Sequence, residues 1–221
     1  MERLRGLAPE GFPFTAKLTR TLTHEIDAKA WPALAAAYRD ALAPLVQARQ
    51  LVAVLAQFGP DFDRSLAHRN YLGALLLELE GLPVAVEFRH DSWVNDKVFA
   101  ELERRRVSLV AVDEPALPGL FPALDVVTNP ELFYVRFHGR NAKGWGAGKN
   151  TQFDYDYNDD ELQEWAEQRL VPMAKKAKRG VIFFNNHVRG QAPKNAHGLR
   201  ELLAKYGLAG GGSCASAPSS T

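Results

Sequence analysis

The sequence predicts an α/β fold of parallel strands joined by helical crossovers, on three observations. Six short β-branched or aromatic runs alternate with longer segments of helical period along residues 12–207. Polar and ionisable residues gather toward the C-terminal ends of those runs, on one of their two alternating faces. The composition is that of a globular chain, with 221 residues, 46% hydrophobic and 24% charged. That excludes a wholly disordered or collagen-like protein and is enough for a sizeable core.

The elements follow in order. Strands are expected over residues 14–20, 51–58, 83–89, 107–114, 132–139 and 180–186, and helices over about 28–49, 65–80, 94–106, 159–178 and 194–206. A Pro-rich, irregular connection follows the fourth strand. Ser65 is placed to cap the second helix, and Asn95 or Asp96 starts the third. Asn158-Asp-Asp-Glu161 opens the fourth, and Lys175, Lys176, Lys178 and Arg179 close it, so both ends complement the macrodipole. Pro172 should kink that helix, since its ring clashes with the preceding turn and it lacks an amide proton. Strand and helix in alternation imply parallel strands with right-handed crossovers, in a sheet or a barrel. No internal linker divides residues 12–207, and residues 1–207 are expected to form one domain. The Gly/Ser/Ala/Pro tail of residues 208–221 cannot offset its ordering entropy by burial and is expected to be disordered.

Several function classes drop out on composition. Lys and Arg total 27 against 26 Asp and Glu, and a formal charge of +1 gives no overall pull toward nucleic acid or an anionic membrane. No apolar run is long enough to span a bilayer, and the N-terminus has no signal-like apolar stretch, so no membrane partner and a cytoplasmic location are expected. The single cysteine, Cys214, excludes an internal disulfide and lies in the tail, away from anything that would activate its thiol.

Any charged site is therefore local. In the third run Ala85, Glu87 and Arg89 oppose Val84, Val86 and Phe88, and in the fifth Tyr134, Arg136 and His138 oppose Phe133, Val135 and Phe137. Thr15, Lys17 and Thr19 form one face of the first, while Gln57, Asp113 and Asn185 end otherwise apolar sets in the second, fourth and sixth. Sites in such folds lie at the carboxyl edge of the strands. The resulting basin holds Lys17, Arg89 and Arg136 against Glu87 and Asp113, with His24, His90 and His138 nearby. Its cations suit a small anionic ligand carrying a phosphate or carboxylate, and Glu87 and His138 are the candidates for proton transfer. The bland alternative is a paired structural network inside a barrel.

After the fifth run, residues 139–157 form a long connection with Arg140, Trp145, Phe153, Tyr155 and Tyr157. Connections of that length are often lids. Gly148-Lys149 is not a P-loop, because Lys143 and Asn150 stand where Gly and Ser or Thr are required. No Gly-x-Ser-x-Gly elbow and no His-Glu-x-x-His pair is present, and no metal or other cofactor is assigned.

Val86-Glu-Phe-Arg-His-Asp-Ser-Trp93, Tyr134-Val-Arg-Phe-His-Gly-Arg140, Phe183-Phe-Asn-Asn-His187 and Ala192-Pro-Lys-Asn-Ala196 stand in the order seen in the YecE-like family, the domain of unknown function 72. Ala16-Lys17, Thr23-His24 and Gln57 fit the same pattern, so the chain resembles that family over about residues 10–206. The resemblance implies a TIM-barrel-like fold with these motifs around its mouth. It implies no known reaction, and a likeness to barrel endonucleases acting at abasic sites rests on analogy of fold alone. The motif positions extend the candidate ligand-binding set to Lys17, His24, Gln57, Arg89, His90, Trp93, Asp113, Tyr134, Arg136, Arg140, Asn185, Asn186 and Asn195, with Asn185 and Asn186 orienting the ligand. The Gly-Thr-Ser-Gly-Trp and Asn-x-Thr-Phe-Tyr-like segments with which members begin are missing, and Ala56-Gln-Phe-Gly-Pro-Asp-Phe62 replaces a Leu-Pro-Pro-type turn. A closed barrel of this class typically has eight strands in about 250 residues. The expectation is thus a barrel lacking its first two strand–helix units, prone to self-association through exposed sheet edges. An inactive fragment, or a protein that binds a ligand or a nucleic acid without turnover, is the competing reading to a hydrolytic enzyme.

Overall fold

The computed structural model of the protein describes residues 2–208. Cys214 and all but the first residue of the expected tail lie outside the described residues. Six parallel strands form a single sheet in the order β1-β2-β3-β4-β5-β6: Phe14–Lys17, Leu51–Gln57, Val84–Glu87, Ser108–Asp113, Phe133–Phe137 and Gly180–Phe184. The sheet curls, so that Tyr134 of β5 reaches the Thr15 side chain of β1, and Arg136 of β5 bonds Gln57 of β2, across the concave face. This is an α/β, TIM-barrel-like fold. Among the described residues β1 pairs only with β2 and β6 only with β5.

Short α1 (Glu2–Leu7), which the hydrophobic pattern did not announce, precedes β1. The crossovers carry α2 (Trp31–Gln47), α3 (Leu66–Glu78) and α4 (Asp96–Arg104); α5 (Lys149–Gln152) is a single turn, and α6 (Asp159–Trp165), α7 (Val171–Lys176) and α8 (Gln191–Lys205) complete the set. The caps fall where expected. Ser65 accepts from the His68 amide, Asn95 from Lys97, and Asn158 with Glu161 forms a capping box. Between α6 and α7 the helix widens into a π turn over Ala166–Leu170. Pro172 has no amide proton to donate to the turn before it, and the neighbouring Val171 amide bonds the Ala166 carbonyl five residues back. The predicted kink thus takes the form of an i→i+5 bulge.

The central strands are buried on both faces. Their outer sides meet the helices in two apolar clusters. In the first, Val54, Val84, Val86 and Phe88 pack with Leu42, Leu45, Leu72, Leu75 and Leu102; in the second, Val135 and Phe137 pack with Tyr157, Leu162, Trp165, Met173 and Leu199. The connection after β4 is irregular, as predicted, yet anchored. Thr128 donates to the Val107 carbonyl and accepts from the Leu109 amide, satisfying two backbone groups of the buried strand.

Candidate functional site

The strand register decides which side chains meet. Gln57 stands beside Glu87, and Val112 beside Arg136. On the concave face this lines up Lys17, Gln57, Glu87, Arg136 and His138, with Asn185 beyond β6. Glu87 is completely buried. Its carboxylate accepts from Arg136 Nη1 at 2.6 Å and His138 Nε2 at 3.0 Å, and Arg89 Nε stands 3.5 Å away. Gln57 Oε1 accepts from both Lys17 Nζ at 2.7 Å and Arg136 Nη1 at 3.0 Å. Asn185 Nδ2 donates to His138 Nδ1 at 3.1 Å, so the imidazole carries its proton on Nε2 and gives it to Glu87.

The electrostatics assign protonation states. Burial alone would raise Glu87, but Arg136, His138 and Arg89 together outweigh it and hold the carboxyl below the usual range. Burial, reinforced by Arg89, lowers His138 to about 3 despite the opposing pull of Glu87. At neutral pH the pair is therefore a carboxylate receiving a hydrogen bond from a neutral imidazole. An anchored carboxylate is a weak base and an imidazole of that kind a poor acid, so the proton-transfer roles expected for Glu87 and His138 do not match their surroundings.

Several other candidates stand elsewhere. Trp93 is in the core, its ring 4.4 Å from Phe88 and 5.5 Å from Phe62, and its Nε1 donates to the Phe62 carbonyl at 2.7 Å. It packs rather than lines the basin. His90 accepts from the Ser92 amide and caps the turn Asp91–Trp93. His24, bonded to Thr23 Oγ1, lies against Gly59 at the rim beyond β2. Tyr134 lies deep on the concave face, its ring 5.7 Å from Phe183. Asn186 and Asn195 point into the helical layer. Asn186 Nδ2 bonds the Tyr155 carbonyl and Asn195 Oδ1, while Asn195 holds Tyr157 and Asp156, so together they fasten the end of the long connection to α8.

β4 has the opposite phase from that expected. Asp113 pairs in register with Phe137 and faces the helices. There it takes bidentate bonds from Arg140 Nε and Nη2 at 2.8–3.1 Å, so Asp113 and Arg140 neutralise each other at the foot of the 139–157 connection. The residue facing the basin is Glu114, which the sequence reading missed. Its side chain is 2% exposed and paired with Arg89, and its Oε1 has no hydrogen-bond partner. Burial, aided by the charges of Glu87 and Asp113, pushes its carboxyl up to about 8 against the pull of Arg89.

The 139–157 connection closes on itself. Gly139 donates to the Tyr157 hydroxyl, and Asn141 bonds the Thr151 carbonyl and caps Gly144. Gly139 has φ +90°, and a Cβ there would fall 2.6 Å from Tyr155 Cβ, so glycine lets the two ends meet. Trp145 covers Arg89, 5.6 Å from the guanidinium carbon, and Phe153 lies 6.1 Å from the His138 ring. Among the described residues no group of three or more His, Cys, Asp or Glu is placed to hold a metal ion, and no helix is long and apolar enough to cross a membrane.

The family model described as "Protein of unknown function DUF72" matches residues 1–217. The chain belongs to this family. Among DUF72 relatives, the UPF0759 protein YunF of Bacillus subtilis is 30% identical over 210 residues, covering 88% of this chain and 74% of its own. The crystal structure of a DUF72 family protein from Thermotoga maritima matches with a TM-score of 0.84 at 32% identity, covering 92% of this chain and 78% of that one. One from Enterococcus faecalis matches with a TM-score of 0.81 at 31% identity, covering 92% and 84%.

Proposed function

We propose that the concave basin binds a small ligand through an oxyanion, phosphate or carboxylate, without turnover by Glu87 and His138, whose protonation states are fixed. One observation carries the reading: Lys17 and Arg136, both cations, are brought onto the same neutral oxygen, Gln57 Oε1. Arg136 is paired with Glu87 as well, and the point where both side chains converge is one at which a ligand oxyanion can accept from a lysine and an arginine together. Arg136 is held rigidly by Glu87, whereas Lys17 is exposed at the rim and can reach a ligand from solution.

The test is calorimetric titration of phenyl phosphate and benzoate into the protein and its Lys17→Ala variant, followed by assay of phosphate-ester hydrolysis. Binding of either anion by the natural protein, at least tenfold weaker in the variant, is expected; equal affinities would overturn the reading. Hydrolysis of the ester that is lost in Lys17→Ala would replace binding without turnover by an enzymatic reading. A nucleic-acid ligand would show itself as salt-dependent DNA affinity.

A further inference from the structure

Glu114 is the one carboxyl of the basin with an oxygen left over. Glu87 has both oxygens occupied, and Asp113 has both oxygens on Arg140. Glu114 Oε2 is taken by Arg89, but Oε1 is buried among protein atoms with no donor facing it. A buried acceptor without a donor costs about 1–3 kcal/mol; a proton on that oxygen removes the buried charge and makes it a donor, whose own cost is lifted only when an acceptor arrives. The charged groups around it are Arg89 and Glu87 from β3 and its extension, and Asp113 beside it on β4, itself neutralised by Arg140. The 139–157 connection brings the uncharged Trp145 ring over Arg89. Arg89 thus lies under an aromatic cover with one side on a carboxyl that can hold a proton.

We infer that Arg89 and Glu114, covered by Trp145, form a second oxyanion subsite, in which the ligand's oxygen accepts from the guanidinium and from a protonated Glu114 Oε1, so that binding takes up one proton. The inference rests on the anion-binding reading above and deepens it by adding, on the other side of Glu87, a second place where a single oxyanion can bind. Trp145 must swing off Arg89 to admit it. Phosphate and carboxylate share the required chemistry, and Glu114 titrating near 8 sets the range in which the coupling shows.

The test uses the full chain with phenyl phosphate and, separately, benzoate, whose charges are constant between pH 7 and pH 9. Affinity should fall about tenfold across that interval as Glu114 loses its proton. Titrations of the natural protein in buffers of different ionisation enthalpy should count about three-quarters of a proton taken up at pH 8.5, a measurement that needs no variant. Glu114→Gln, an isosteric neutral donor, should bind with a flat pH profile, and Trp145 fluorescence should change on binding. Which of the two probes shows the coupling identifies the oxyanion. Binding with a flat profile and no proton uptake in the natural protein, or an unchanged slope in Glu114→Gln, overturns the inference while leaving the Lys17 site standing. Failure of both probes to bind at any pH removes both.

Discussion

Replacing Glu87 with Gln keeps the volume of a completely buried side chain and removes only its charge. The consequence can be followed partner by partner. Arg89 retains Glu114, and neutral His138 retains Asn185 and an amide in place of the carboxylate. Arg136, whose side chain is 10% exposed, loses its 2.6 Å carboxylate and keeps only Gln57 Oε1, shared with Lys17. One buried guanidinium is left uncompensated, and breaking a buried pair from one side costs about 3–5 kcal/mol. For a chain of this size that corresponds to a melting temperature lower by roughly 6–20 °C. Urea unfolding at pH 7, followed by tryptophan fluorescence, measures the loss directly. Adding Arg136→Met should recover most of it, because an apolar replacement of both partners removes the stranded charge along with its counterion. A loss below about 1 kcal/mol, or no recovery in the double variant, would refute the view that Glu87 is the electrostatic anchor of the basin.

Three other outcomes are expected. His138 is held at about 3 in the folded protein against an ordinary 6.5, so the unfolded chain binds more protons between those values, and stability should fall as pH drops from about 6.5 toward 3; acid unfolding of His138→Gln should show a shallower slope over that range. Trp93→Ala should cost about 3–5 kcal/mol in chemical denaturation, because it empties the stack between Phe62 and Phe88 and strands the Phe62 carbonyl; a loss under about 1 kcal/mol would show that the site collapses around the gap. With β1 and β6 each paired on one side among the described residues, concentration-dependent self-association is expected in light scattering, and a monodisperse monomer at all concentrations would contradict it.

The six strands and their parallel order were legible because the runs are short and apolar and all but the fourth lead to a helix, two of them with a clear start signal at Ser65 and Asn158. The inward faces of β3 and β5 were legible as well, since Glu87, Arg89, Arg136 and His138 alternate with large apolar residues and only one assignment buries the latter. β4 carries no such marker. Both of its alternating sets are apolar, Leu109 and Ala111 against Val110 and Val112, and two acidic residues follow in succession, so alternation cannot say which one turns inward. The register with β5 decides it, and register is a property of two strands together. Trp93 was misplaced for a related reason, since its motif neighbours Glu87 and Arg89 do line the basin, while the turn capped by His90 folds the indole back onto the core. Glu114 could have been found by one signal, the parity of Val110 and Val112 against Tyr134 and Arg136, which requires knowing the pairing first.

The succession of Asp113 and Glu114 also bears on how this chain tolerates change. Asp113 grips Arg140 at the foot of the 139–157 connection, and Glu114, through Arg89, meets Trp145 near its crown. Asp113 at the end of β4 and Glu114 just after it thus hold a single loop at its foot and its crown, from opposite faces of the sheet. A substitution removes one mooring and leaves the other, but deletion or insertion of one residue within β4 turns both carboxylates to the wrong side at once. Point variants here should loosen the loop at its foot or at its crown, whereas length variants should loosen both at once and leave it only its own internal bonds and those to Asn186 and Asn195, making β4 a segment where drift in composition is allowed and drift in length is not.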